Sequence, residues 1–193
     1  MNESLNLQLF ALINASSHAN CVIVSLATVL ANGLFYGLVA FLAVYWLTGK
    51  DEAKRLVLKS FCLSLIALGI AQIITHLYPH PRPFMIGVGN TLINHPADAS
   101  FPSDHLTVFS CVAMAFLLGK KHSIGTAIFV LGWVVAWARV YLGVHFPFDM
   151  LGAATLSIGL SLLFEPIWRH WGKTFSQPFL TVYQWGLMKF SLS

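Results

Sequence analysis

The chain has 193 residues and a formal net charge of +4, with 57% hydrophobic and only 9% charged side chains and a mean hydropathy of +0.73. A soluble domain carries about 25% charged residues. The composition therefore argues against a soluble enzyme or a nucleic-acid-binding module and predicts an all-α membrane protein with a single integral-membrane domain over residues 1–193.

In chain order, Met1-Asn2-Glu3 lacks the basic start of a cleaved signal peptide, so the first apolar span is expected to stay in the mature protein. Residues 4–17 are apolar but too few to cross a bilayer, and an interfacial helix is expected within the segment 1–20. Five stretches can approach a hydrocarbon core ~30 Å thick: about 21–48, 57–78, 104–119, 123–141 and 148–168. They define a bundle over 21–168. The third is short and needs the preceding loop to reach into the headgroup region. The tail, 169–193, mixes aromatic and polar residues and reads as cytoplasmic or interfacial, with Pro178 breaking any long helix. Cys21, Cys62 and Cys111 all fall inside apolar spans without ligand spacing and read as small core residues.

The basic residues are distributed asymmetrically. With the N-terminus outside, Lys50, Lys54, Arg55, Lys59, Lys120, Lys121, Arg169, Lys173 and Lys189 all fall on one side of the five spans. The positive-inside rule makes that side cytoplasmic. Arg82 and Arg139 fall on the other side, and so need a separate reason. A charge in a lipid-buried helix costs ~2.5–3.5 kcal/mol on insertion scales.

Three polar segments gather on that outer face. Arg139 closes the fourth span, Gly143 permits a tight turn, and His145 is followed four residues later by Asp149 near the start of the fifth. Asp149 can hold one imidazole nitrogen and leave the other's lone pair free, which makes His145 a candidate nucleophile. An interfacial histidine beside a helix-capping aspartate is the bland alternative. In Pro102-Ser103-Asp104-His105, Ser103 suits an N-cap and Asp104 the positive end of the third helix, while the helix start offers N–H groups to an anion. His105 there can donate a proton to a leaving oxygen; a well-capped helix is the bland reading. In His80-Pro81-Arg82-Pro83, two prolines stiffen the presentation of Arg82, either as a bidentate phosphate ligand or as a cation snorkelling to headgroups.

Taken together, these segments resemble the three-part signature of the type-2 phosphatidic acid phosphatase superfamily, Lys-x6-Arg-Pro, Pro-Ser-Gly-His and Ser-Arg-x5-His-x3-Asp. The likeness covers residues 75–150. It implies that His145 becomes phosphohistidine, that Asp149 is its partner carboxylate, that His105 is the leaving-group acid, and that Arg82, Arg139, Ser103 and the Asp104 helix start bind phosphate. Three positions depart from the pattern: Thr75 stands in place of the Lys, Ala138 in place of the Ser, and Asp104 in place of the Gly. His76 or His80 is a candidate to replace the missing Lys. Pro-Ser-Asp-His, with the run His95-Pro96-Ala97-Asp98 before it, resembles the bacterial undecaprenyl-diphosphate phosphatases of the superfamily.

The resemblance implies a phosphatase of the bacterial cytoplasmic membrane, acting on a polyprenyl diphosphate at the extracytoplasmic face. Phosphatidic acid, phosphatidylglycerol phosphate and phosphotransfer to a lipid acceptor use the same machinery and stay open, as does oligomeric state. A small transporter is the reading from another class, but it predicts polar groups spread through the membrane depth rather than gathered at one face. No cofactor or metal is expected. Glu3, Asp98, Asp104 and Asp149 are scattered on the outer face, and the eight histidines lack paired ligand spacing.

Overall fold

The computed structural model describes residues 3–191, with side chains to residue 186; Met1, Asn2 and the last two residues lie outside it. The order is α1 (Glu3–Ile13), α2 (Cys21–Thr48), α3 (Asp51–Leu77), a short 3₁₀ turn (Pro83–Ile86), α4 (Asp104–Leu118), α5 (His122–Tyr141) and α6 (Pro147–Ser191). Four of these, α2, α3, α5 and α6, are long and apolar enough to cross a membrane. Their outer faces carry exposed Val, Leu, Ile and aromatic side chains such as Leu26, Val29, Ile73, Leu131 and Leu163, as a lipid environment requires.

The 15 residues of α4 span only about 22 Å at 1.5 Å each. It forms the centre of the bundle, packed by α3, α5 and α6. Leu106, Phe109, Val112, Ala113, Ala115 and Phe116 on this one helix are all buried. Lipid gives helices no hydrophobic reason to associate, so close approach through small residues must supply the packing. Gly132 of α5 meets α4 in this way: a Cβ there would stand 2.8 Å from the Phe109 Cβ.

Two expectations need correction. First, α6 does not end near residue 168 or break at Pro178; it is one 45-residue helix through Pro166 and Pro178. At about 68 Å it far exceeds the ~30 Å apolar thickness. Each internal proline removes one helix hydrogen bond, but α3 grips the extension. Arg55 donates to the Lys173 carbonyl at 2.9 Å and to Gln177 Oε1 at 2.8 Å, Lys54 lies 5.1 Å from the Tyr183 ring centroid, and Leu180 is fully buried. Second, α1 does more than lie at a surface. Phe10 is fully buried against Phe146, and Asn6 Oδ1 accepts from the Phe148 N–H at 3.1 Å.

The 3₁₀ turn lies within the long connection between α3 and α4, which folds over the same end of the bundle. Asn14 brackets Asn90, accepting from its N–H at 2.7 Å and donating to its carbonyl at 2.9 Å. Ser100 N–H donates to the His80 carbonyl at 2.8 Å, and Leu92 N–H to the Leu142 carbonyl at 3.0 Å. Gly143 is required by this closure: its φ is +81°, and a Cβ would lie 2.1 Å from the Asn90 carbonyl oxygen.

Candidate active site

The site is built where the C-terminal ends of α3 and α5 meet the N-terminal ends of α4 and α6. Arg139 sits in the last turn of α5, and the turn at 142–146 carries the chain straight back into α6. That turn buries His145 to 3% exposure directly above Asp149. The Asp149 Oδ2 lies 3.2 Å from His145 Nδ1 and accepts the Phe146 N–H at 2.7 Å. A carboxylate held in this way fixes the tautomer with the proton on Nδ1, leaving a lone pair on Nε2. That nitrogen faces Arg82, whose Nη1 is 3.0 Å away.

Arg82 is itself fixed by a loop. Its Nη1 donates to the Val144 carbonyl at 2.8 Å, its Nη2 to the Ala99 carbonyl at 3.3 Å, and its Nε to Asp98 Oδ1 at 2.8 Å. The Arg139 fork points into the same space. Its Nη1 is 3.3 Å from His105 Nε2 and its Nη2 is 2.9 Å from His95 Nε2. His105 leans on Phe35 of α2, with ring centroids 5.1 Å apart. These groups enclose a cavity of about 160 Å³, walled by Arg82, His95, Asp98, Asp104, His105, Arg139 and His145 with Gln72 and Thr75 of α3.

Electrostatics follow from this crowding. Burial, reinforced by Arg139 and Arg82, holds the His145 imidazole well below the usual histidine range, so it is neutral at pH 7. His95 is lowered for the same reasons, burial first and then the two guanidiniums. Burial pushes the Asp98 carboxyl up, but its hydrogen bond and charge attraction to Arg82 outweigh that and leave it below the usual carboxylate value. The cavity thus holds two guanidiniums, with a neutral imidazole on its wall.

Of the residues singled out from sequence, Arg82, Asp104, His105, Arg139 and His145 reach the cavity, and Asp149 stands behind His145. Ser103 does not line it. Its N–H donates to the Asp149 carbonyl at 3.3 Å, and its buried hydroxyl makes no hydrogen bond, so it is an N-cap by position only. The Asp104 carboxylate accepts from the Gln72 amide at 3.4 Å. As an anion it would repel a phosphate, so only its place at the helix start favours binding. Neither His76 nor His80 takes the place of the missing Lys: His76 is exposed, and His80 points to the rear of Asp149. Thr75 donates to the Phe101 carbonyl at 2.9 Å.

His95, Asp98 and Gln72 are the wall residues that sequence patterns leave without a role. The His95–Asp98 run was the available signal, but only closure of the long connection shows that it faces Arg139 and Arg82.

The profile of the PAP2 superfamily matches residues 57–173. The protein YbjG of Escherichia coli (strain K12) is 40% identical over 172 residues, covering 89% of this chain and 87% of that protein. The undecaprenyl-diphosphatase BcrC of Bacillus subtilis (strain 168) is 32% identical over 160 residues, 83% of this chain and 82% of that one. Among solved structures, Aquifex aeolicus LpxE superposes with a TM-score of 0.64 at 26% identity, covering 82% of this chain and 93% of its own. A transmembrane PAP2-type phosphatidylglycerolphosphate phosphatase from Bacillus subtilis gives a TM-score of 0.64 over 86% of this chain and 87% of its own; at 19% identity, it shares the fold alone.

Proposed function

The chain belongs to the PAP2 superfamily, and from that premise we propose that it is an integral-membrane phosphatase converting undecaprenyl diphosphate to undecaprenyl phosphate at the extracytoplasmic face of the bacterial cytoplasmic membrane. One observation carries the chemistry: a neutral, buried imidazole presents its Nε2 to the Arg82 guanidinium, 3.0 Å away, on the wall of a small cavity that Arg139 also lines. The substrate assignment rests on the undecaprenyl-diphosphatase BcrC, alignable over most of this chain.

The terminal phosphate enters between Arg82 and Arg139 and displaces the Arg82 Nη1 from His145 Nε2. The α4 N-terminus at Asp104 supplies further N–H donors. His145 Nε2 attacks phosphorus in line, and the bond from phosphorus to the bridging oxygen breaks. His105 gives its proton to the departing undecaprenyl phosphate. Phosphate binding draws Arg139 away from His105 Nε2 and sets anionic oxygens beside the ring, so that nitrogen takes up from solvent the proton it then delivers. Water then attacks phosphorus and returns a proton to His105; the N–P bond of phosphohistidine breaks, freeing His145 Nε2 and releasing phosphate. The fixed guanidiniums stabilise the charge that develops at the phosphoryl oxygens.

The prenyl tail has a path. Phe35, in contact with His105, also lines an apolar groove of about 530 Å³ between α2, α3 and α4, where Val39, Leu42, Leu65 and Leu68 face one another. The orientation follows from charge. Lys50, Lys54, Arg55, Lys120, Lys121, Arg169 and Lys173 lie toward the end of the bundle opposite the site, which the positive-inside rule assigns to the cytoplasm.

The test is phosphate release by the purified chain from undecaprenyl diphosphate, phosphatidic acid and phosphatidylglycerol phosphate. The diphosphate is expected to give the highest kcat/KM; if it is the poorest of the three, the substrate assignment is wrong.

A further inference from the structure

Behind the nucleophile, a second row of polar side chains leads away from the cavity toward α1. His80 is only 7% exposed. Its ring lies edge-on to Phe146 at 5.4 Å and stacks on Tyr78 at 5.9 Å, so its direction is set by packing. Its Nδ1 is 3.0 Å from Ser100 Oγ and 3.9 Å from Asp149 Oδ1, and its Nε2 is 3.3 Å from Glu3 Oε1. Two carboxylates from different helices therefore flank one buried imidazole.

Asp149 gives this row its significance. Its Oδ2 serves both His145 and the Phe146 N–H, while Oδ1 is fully buried and makes no hydrogen bond. Leaving such an oxygen unpaired is costly, more so when it is charged. Among the described residues, His80 is the basic side chain within ion-pair distance of Oδ1. The superfamily match begins at residue 57, so it assigns nothing to Glu3.

We propose that His80 is a positioning residue for the reaction: it orients Asp149 through that carboxylate's free oxygen, and Glu3 of α1 orients His80 in turn. The row Glu3–His80–Asp149–His145 gives α1 a part in catalysis. A nucleophile held by a singly anchored carboxylate can tilt off line, and anchoring both oxygens restrains it. Among the described residues, Glu3 from α1 and Asp149 from α6 are the charged groups within ion-pair distance of His80, with the Arg82 guanidinium and the neutral His145 ring beyond Asp149.

This inference rests on the phosphatase reading, and turnover by the unaltered chain is the control that belongs to that reading. The comparison itself is made with the full chain in detergent, on whichever lipid phosphate it hydrolyses fastest. His80→Ala is expected to lower kcat about 10–100-fold, the usual cost of losing such a supporting partner, with KM within about twofold. Glu3→Gln is expected to lower kcat only a few-fold. His80→Gln, which keeps a buried amide donor, is expected to recover much of the loss. In an Asp149→Asn background, His80→Ala is expected to change kcat less than about twofold, since coupled residues are not additive. An unchanged kcat in His80→Ala overturns the proposal, as does an equal fold-loss in both backgrounds. So does a His80→Gln variant as inactive as His80→Ala when both melt like the parent.

Discussion

The two ends of the bundle both concentrate cations, but they use them in opposite ways. At the end away from the site, each buried or half-buried cation has a matched acceptor. Lys59 pairs with Glu165, which also takes Arg169 at 2.8 Å, and Arg55 donates to Ser176, Gln177 and the Lys173 carbonyl. At the site end, Arg139 is 3% exposed yet has imidazoles rather than carboxylates for partners, and its Nε is buried without a hydrogen bond. Arg82 has one carboxylate partner, Asp98, whose side chain is 61% exposed. Matched charges anchor a fold. A buried guanidinium that meets imidazoles instead of a carboxylate beside a cavity describes a site whose counter-charge arrives with the ligand.

Substitutions that exchange these behaviours test the comparison. The largest effect is expected at His145: His145→Ala should reduce phosphate release to background. Asp149→Asn comes next, because it keeps the shape but spoils the tautomer; a similar loss elsewhere costs about 10⁴ in kcat, and KM should move far less. Arg139→Ala should follow with a fall of about 10²–10³ in kcat/KM. Glu165→Ala should do the reverse: it leaves the buried Lys59 charge unpaired, so stability should drop by about 3–5 kcal/mol while kcat stays within about threefold; Lys59→Ala, which leaves Glu165 its bond to Arg169, should cost less and also spare kcat. If either half of the Lys59–Glu165 pair abolished turnover in folded protein, the division between anchor and site would fail.

The smallest expected effect is in pH dependence. In the proposed mechanism the neutral imidazole is the nucleophile, and burial with the two guanidiniums lowers its pKa. Protonation therefore removes activity only below the ordinary histidine value, and the acid limb of kcat/KM should lie under pH ~6.5. Asp98→Asn should change little but KM, because it releases one hold on Arg82.

The spans were legible because hydropathy reports what lipid demands. The expected span 21–48 coincides with Cys21–Thr48, and those at 104–119 and 123–141 agree to within a residue at each end. That His145, Asp149, Arg82, Arg139 and His105 gather at one face was legible from span order and charge placement, and only the family resemblance gave them roles. What escaped depends on long-range closure. The α6 extension survives two prolines only because α3, more than a hundred residues earlier, binds it. His80 and His95 lie in one connection with nothing local to distinguish them; one turns behind Asp149 and the other onto Arg139. Ser103 sits in an N-cap position, but its hydroxyl makes no capping hydrogen bond, which no motif reports.

The central claim is covalent: the phosphoryl group resides on His145 during turnover. Rapid acid-free quenching of the chain with substrate labelled in the terminal phosphate should trap a protein-bound label that is acid-labile and stable in base, mapped to His145 and absent from His145→Ala. Turnover of the parent with no trapped label, or an equal label on His145→Ala, would contradict the account.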